Sequence, residues 1–329
     1  MGDQLPLFEI APDPPPDPWA GRLAEVYRAA RPLREAIPGS VHFGTSSWSF
    51  PGWKGIVYGA ARTTTALARE GLAEYARHPL LTTVGVDRSY YAPLPLDDLR
   101  RYAGQLPAGF RCVIKAPASV TAATLGPPGA RPAPNPGFMS AARLTAELLE
   151  PLAAAFADHT GPILLEFPPV PRGFPLEPGR FLEGLDHLLH ALPAGFEYAV
   201  ELRDRRLLTP EYRAVLAAHG AGHTYNYWSA MPMPGVQAGV VPPEDAAFSI
   251  VRLLLRPGTW YEDQRERFRP FDRLVEPDRA MRDDVEAVVS RAMGAGRRAF
   301  VLVNNKAEGS SPLTIMALAE RLAARRAPR

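Results

Sequence analysis

Eight short apolar runs alternate with amphipathic helical stretches from Val41 onward, and this alternation constrains the fold more than any other feature of the chain. The runs are Val41 to Thr45, Leu81 to Asp87, Phe110 to Lys115, Pro162 to Phe167, Glu197 to Leu202, Ala221 to Asn226, Phe248 to Leu255 and Ala299 to Asn304. Helical periodicity lies between them near residues 63 to 77, 96 to 105, 140 to 158, 178 to 191, 210 to 219, 277 to 294 and 312 to 325. Strand and helix repeated in this way predict the α/β class and a (β/α)8 TIM-type barrel. A doubly wound open sheet would use the same units, but no Gly-rich dinucleotide fingerprint follows any run. After the sixth run, Met231-Pro-Met-Pro-Gly and Val241-Pro-Pro predict a long loop with at most a short helix.

The barrel is assigned to residues 41 to 329 as a single domain, because nothing interrupts the alternation. Residues 1 to 18 contain Pro-Asp-Pro-Pro-Pro-Asp-Pro and are expected to be a Pro-rich disordered tail. Residues 19 to 40 place Leu23, Val26, Tyr27, Ala30 and Leu33 at helical spacing, an appendage whose helix Pro32 is expected to kink or end. The net charge of +2 implies no global attraction to nucleic acid or membrane. Cys112 is the single cysteine and sits in an apolar run, which suits a buried thiol in a reducing compartment. No apolar run reaches the roughly 20 residues of a membrane span, so a cytoplasmic protein with no membrane partner is expected.

In a barrel of this type the C-terminal strand ends converge on one mouth. The first run breaks there into Gly44-Thr45-Ser46-Ser47-Trp48, followed by Phe50-Pro-Gly-Trp53-Lys54. Those hydroxyl and indole groups have binding capacity that a structural turn does not need. Thr45 and Ser46 are therefore candidate substrate contacts, Trp48 a wall or stacking face, and Trp53 an anchor for the loop. The other strand ends bring Asp87, Tyr90, Tyr91, Lys115, Glu166, Glu201, Arg203, Asn226, Trp228, Arg252, Asn304, Asn305 and Glu308 to the same mouth. Carboxylates set among cations can hold separated pKa values and so divide the work of proton donor and acceptor. Glu201, Lys115 and Glu308 are the catalytic candidates; Asp87, Tyr91, Arg203, Asn304 and Asn305 are candidate substrate contacts.

This arrangement predicts an enzyme, a hydrolase or lyase, acting by general acid/base chemistry on a small polar or phosphate-containing substrate. A nucleic-acid-binding barrel with Trp48, Tyr90, Tyr91 and Trp228 as stacking surfaces is the second reading, and a noncatalytic binding module the third. A lone lysine at a strand end also admits a Schiff base at Lys115. No cofactor is expected. Only His42 and His223 among the histidines fall in strands, and a divalent metal, if bound, would rest on carboxylates.

Residues 41 to 325 resemble the YecE-like family, a domain of unknown function numbered 72. The resemblance rests on Gly44-Thr-Ser-Ser-Trp48 with Trp53, Ser89-Tyr-Tyr91, Phe110 to Pro117, Gly161 to Pro169, Ala199-Val-Glu201-Leu-Arg203, Val251-Arg252-Leu, and Val303-Asn304-Asn305-Lys-Ala-Glu308-Gly309. It implies a β/α barrel and brings no settled reaction. Gly85, Asp87, Glu166 and Leu254-Leu255 depart from the family pattern, which marks a divergent branch. In the tail, Gln4-Leu5-Pro6-Leu7-Phe8 resembles the peptide by which bacterial replication and repair proteins bind the sliding clamp. Gln4, Leu5, Leu7 and Phe8 would be the contacts, since an extended segment with one amide and large apolar anchors suits a preformed groove.

Overall fold

A computed structural model describes residues 18–126, 133–169 and 177–326 and places all eight runs in one parallel sheet. The strands are β1 (Val41–Thr45), β2 (Gly85–Val86), β3 (Cys112–Lys115), β4 (Thr160–Phe167), β5 (Tyr198–Leu202), β6 (Gly222–Tyr227), β7 (Phe248–Leu253) and β8 (Arg298–Val303). They pair in the order β1-β8-β7-β6-β5-β4-β3-β2. The two ends of that ladder meet through a parallel bridge between Phe43 and Leu81, so the sheet nearly closes into a barrel. Thr82 N and Thr83 N both donate to Phe43 O, at 2.9 and 3.1 Å, and this irregular pairing leaves only Gly85–Val86 of the second run as regular strand. The seam is tight. A Cβ on Gly44 would lie 2.1 Å from Thr83 O, so only glycine fits there.

Period-two alternation explains what faces inward. Val113, Leu164, Ala199, Phe248, Ile250, Phe300 and Leu302 form an apolar cluster inside the barrel. Their outward neighbours Ile114, Leu165, Val200, Val251 and Val301 join the larger core against the helices. Two residues further along the same inward rows stand Lys115, Glu166, Glu201, Arg252 and Asn304. Each strand thus fills the barrel with apolar atoms first and delivers its polar group at the C-terminal end.

The helices follow local rules where the sequence carries clear signals. Pro210–His219 starts at Thr209, whose Oγ1 accepts from Tyr212 N, has Pro210 in its first turn, and ends on Gly220 at φ 62°. Pro178–Ala191 matches its expected range. Other elements differ from expectation. Pro18–Ala36 runs on past Pro32, with Ala30 buried and the helix packed against the last helix, Ser311–Arg326, so tertiary packing outweighs the missing N–H. The stretch over 140–158 breaks into Ala141–Leu144, a π-helical turn Thr145–Leu149 and Glu150–Ala155; Pro151 cannot donate a backbone bond, and the turn widens ahead of it. Helix Pro234–Val240 occupies the long loop after β6. Helix Tyr261–Phe268, between β7 and helix Arg279–Gly294, was not expected. Nor was the antiparallel pairing of Thr124–Leu125 with Ala133–Pro134. Among the described residues, no helix is long and apolar enough to cross a membrane.

Candidate active site at the barrel mouth

A cavity of about 310 Å³ opens where the strands end, lined by residues that include Asp87, Lys115, Glu166, Arg203, Arg252 and Lys306. Its floor is an ion network. Glu166 Oε2 lies 3.0 Å from Lys115 Nζ and accepts from an Arg203 NH2 and an Arg252 NH1, both at 2.9 Å. Arg252 NH1 also donates to Glu201 Oε2 at 2.6 Å, and its NH2 to Asp87 Oδ2 at 2.8 Å. Arg203 Nε sits 2.5 Å from Glu201 Oε1, an ion-pair contact without hydrogen-bond alignment. Asn226 Nδ2 donates to Leu202 O at 2.7 Å and reaches Glu201 Oε1 at 3.5 Å.

Burial disfavours charge on Glu166, but Arg203, Lys115 and Arg252 outweigh it and hold the carboxyl well below the usual range. Burial likewise opposes the Arg252 charge, and Asp87, Glu201 and Glu166 reverse this and raise its pKa. Aromatic rings cover the other three cations. Lys115 Nζ is 3.7 Å from the Tyr90 ring centre, the Arg203 guanidinium 4.2 Å from Trp228, and Lys306 Nζ 4.2 Å from Tyr261. Tyr90 is pushed up to about 12 by burial and by the charge of Glu166. Lys306 is lowered to about 8 by burial and then by Arg265, with Glu262 and Asp87 opposing.

Lys306 stands apart in one further respect. Lys115, Arg203 and Arg252 share Asp87, Glu166 and Glu201, three cations against three carboxylates. Lys306 is only 9% exposed, lines the same cavity, and makes no ion pair with a carboxylate among the described residues.

The candidate residues separate into two groups. Lys115, Asp87, Tyr91, Arg203 and Asn304 line the cavity. Glu201 lies beneath it, fully buried, where it braces Arg203 and Arg252. Thr45, Ser46, Trp48, Asn305 and Glu308 do not line it. Thr45 Oγ1 bonds Ser47 O and the Tyr75 hydroxyl at 2.7 and 2.9 Å, and Ser46 Oγ is buried. Trp48 donates Nε1 to Leu67 O at 2.9 Å and packs edge-on against Tyr102. Asn305 Oδ1 accepts from Trp53 Nε1, Ser311 N and Ser311 Oγ, so it caps the last helix and anchors the first loop. Glu308 is fully buried on Arg282 and Asp278 N. The clamp-like residues Gln4, Leu5, Leu7 and Phe8 lie outside the described residues.

Lys306, Tyr261, Glu166 and Arg252 line the cavity as well, beyond the substrate and catalytic candidates that the sequence suggests. The signal for Glu166 and Arg252 was the inward row itself, two residues beyond Leu164 and Ile250. Tyr261 carried none, because its helix was not foreseen. No set of three or more His, Cys, Asp or Glu side chains suited to a metal occurs among the described residues. A larger cavity of about 400 Å³ lies at the opposite end of the barrel among Arg111, Glu197, Arg298 and Phe300. Its charges are already used: Arg298 pairs with Glu197, and Arg111 NH1 bonds Ala157 O and Thr160 O.

A family model described as "Protein of unknown function DUF72" matches residues 42–329. No curated protein matches the chain. A crystal structure of a DUF72 family protein from Enterococcus faecalis superposes with a TM-score of 0.61 at 17% identity, covering 86% of this chain and 95% of that one. Another DUF72 family protein, from Thermotoga maritima, gives 0.60 at 18% identity over 86% and 98% of the two chains. At such identities the likeness shows the fold.

Proposed function

The chain belongs to the DUF72 family, and because no reaction comes with that membership we propose a function from the mouth itself: an enzyme that binds a small phosphate- or carboxylate-bearing substrate and performs proton transfer on it. One observation carries this reading. In a cavity whose other cations are matched by carboxylates, buried Lys306 has no anionic partner among the described residues, so a ligand anion would complete the charge balance. An amine lowered to about 8 can also give or take a proton near neutral pH, whereas Glu166 stays ionised. Glu201 serves as a positioning residue for Arg203 and Arg252. The volume of about 310 Å³ suits a small molecule.

Calorimetric titration with inorganic phosphate tests the reading. Lys306→Met should weaken binding by roughly tenfold to a hundredfold, the worth of one charge-assisted contact. Equal affinity in the variant and the parent chain would remove the basis for the proposal.

A further inference from the structure

Only three of the 37 basic side chains are lysines: Lys54, Lys115 and Lys306. Two of those three line the cavity at the mouth. In a chain that uses arginine almost everywhere else, this placement points to chemistry that a guanidinium cannot supply. An amine can lose its proton and become a nucleophile, whereas arginine remains charged.

The two lysines differ in what holds them. Lys115 Nζ is 3.0 Å from Glu166 Oε2 and lies against Tyr90, so its nitrogen is already engaged by a carboxylate. Lys306 Nζ meets the Tyr261 ring and, among the described residues, forms no ion pair with a carboxylate. Among the described residues, the charged groups that act on it do so at longer range: Arg265 and Glu262 on the helix over it, and Asp87 after β2. Arg252 lines the same cavity with its charge already shared among Asp87, Glu166 and Glu201.

We infer that Lys306 is a nucleophilic amine that forms an iminium ion with a small aldehyde or ketone carrying a carboxylate or phosphate group. This rests on the anion-binding reading above and names the substrate class for it. The neutral Nζ adds to the carbonyl carbon, and an Nζ proton passes to the carbonyl oxygen to give a carbinolamine. One proton from solution then converts the hydroxyl to water, which leaves as the nitrogen lone pair forms the C=N bond. One amine, one carbonyl and one proton give one iminium and one water, with no change of oxidation state. The iminium keeps the positive charge, so the anionic group of the substrate remains balanced. At pH 7 an amine lowered to about 8 is neutral roughly 300-fold more often than an ordinary lysine.

The test is reductive trapping of the full chain with glyoxylate or glycolaldehyde phosphate and cyanoborohydride, mapped by peptide mass spectrometry. The expected adduct sits on Lys306, at least roughly tenfold above Lys54 and Lys115, and its rate passes through a maximum near pH 8, where free amine for attack and protons to expel water are both present. Comparing the two probes shows whether carboxylate or phosphate is preferred. Equal labelling of the three lysines, or no adduct at Lys306 while inorganic phosphate still binds, overturns the inference. Lys306→Arg should retain phosphate binding and lose the adduct. Labelling of Lys306 without phosphate binding would instead refute the anion reading and leave the nucleophile standing.

Discussion

Glu166 and Glu308 are both buried carboxylates clamped by arginine at the C-terminal side of the barrel, yet of the two Glu166 alone lines the cavity at the mouth. Glu308 uses both oxygens: Arg282 donates Nε and NH2 to them at 2.8 Å each, and Asp278 N adds a third bond at 2.6 Å. The loop wraps its backbone too, with Val275 N and Glu276 N on Glu308 O. Glu166 gathers three cations on Oε2, and the same cavity holds Lys306, a cation with no carboxylate partner among the described residues. The residue types are alike; what differs is completeness. A buried charge whose acceptors are all taken holds the scaffold, whereas an incompletely matched set leaves work for a ligand.

The sharpest test of that contrast removes one partner from each cluster. Arg282→Met strands Glu308 as an unpaired buried charge and should cost about 3–5 kcal/mol in denaturant unfolding, with phosphate affinity unchanged. A loss below about 1 kcal/mol would mean that Glu308 is not a scaffold group. Glu166→Gln should behave in the opposite sense. Arg203 and Arg252 retain Glu201 and Asp87, and Lys115 keeps the Gln amide oxygen and the Tyr90 ring, so the stability loss should stay near 1–3 kcal/mol. The mouth meanwhile gains a net positive charge, and phosphate should bind roughly tenfold more tightly in calorimetry. Weaker binding would show that Glu166 accepts a proton or hydrogen bond from the ligand.

The difference between the clusters was only half legible in the sequence. The inward rows were readable: an apolar residue followed two places later by Lys115, Glu166, Glu201, Arg252 or Asn304 is a barrel strand arriving at its mouth. Closure was not, because it depends on loops from distant parts of the chain. Glu308 shares its motif with Asn304, but Arg282 comes from a helix 26 residues earlier and seals it. Trp48 and Thr45 follow β1 into the packing around Leu67 and Tyr75, where hydroxyl and indole groups serve the fold. Lys306 lay inside the same motif as Asn304, and a count of lysines against arginines would have singled it out.

Proton linkage separates the clusters next. Lys306 has a folded pKa of about 8, below its ordinary value, so the unfolded chain binds more protons between the two and stability should rise as pH passes upward through that window. A bound anion reverses the shift. Sulfate, which does not titrate in this range, should therefore bind roughly tenfold more weakly at pH 9 than at pH 7. Lys306→Arg should flatten that profile, and Arg282→Met should leave it intact. A flat profile in the parent chain would place the binding charge on an arginine instead.

The smallest effect belongs to Trp48, the residue whose identity most suggested a stacking face. Its indole Nε1 is committed to Leu67 O and its ring to Tyr102, while the rings at the cavity are Tyr90, Tyr91, Trp228 and Tyr261. Trp48→Phe keeps an aromatic ring and deletes the N–H, so unfolding should report a loss of about 1 kcal/mol, with Leu67 O keeping its bond from Gly71 N. Phosphate affinity should not move. Trp228→Leu, by contrast, uncovers the Arg203 guanidinium and should change affinity at similar stability cost, because that ring forms part of the cavity wall. If Trp48→Phe shifted phosphate affinity more than Trp228→Leu, the first loop would be communicating with the mouth, and the boundary between scaffold and site would have to be redrawn on the β1 side.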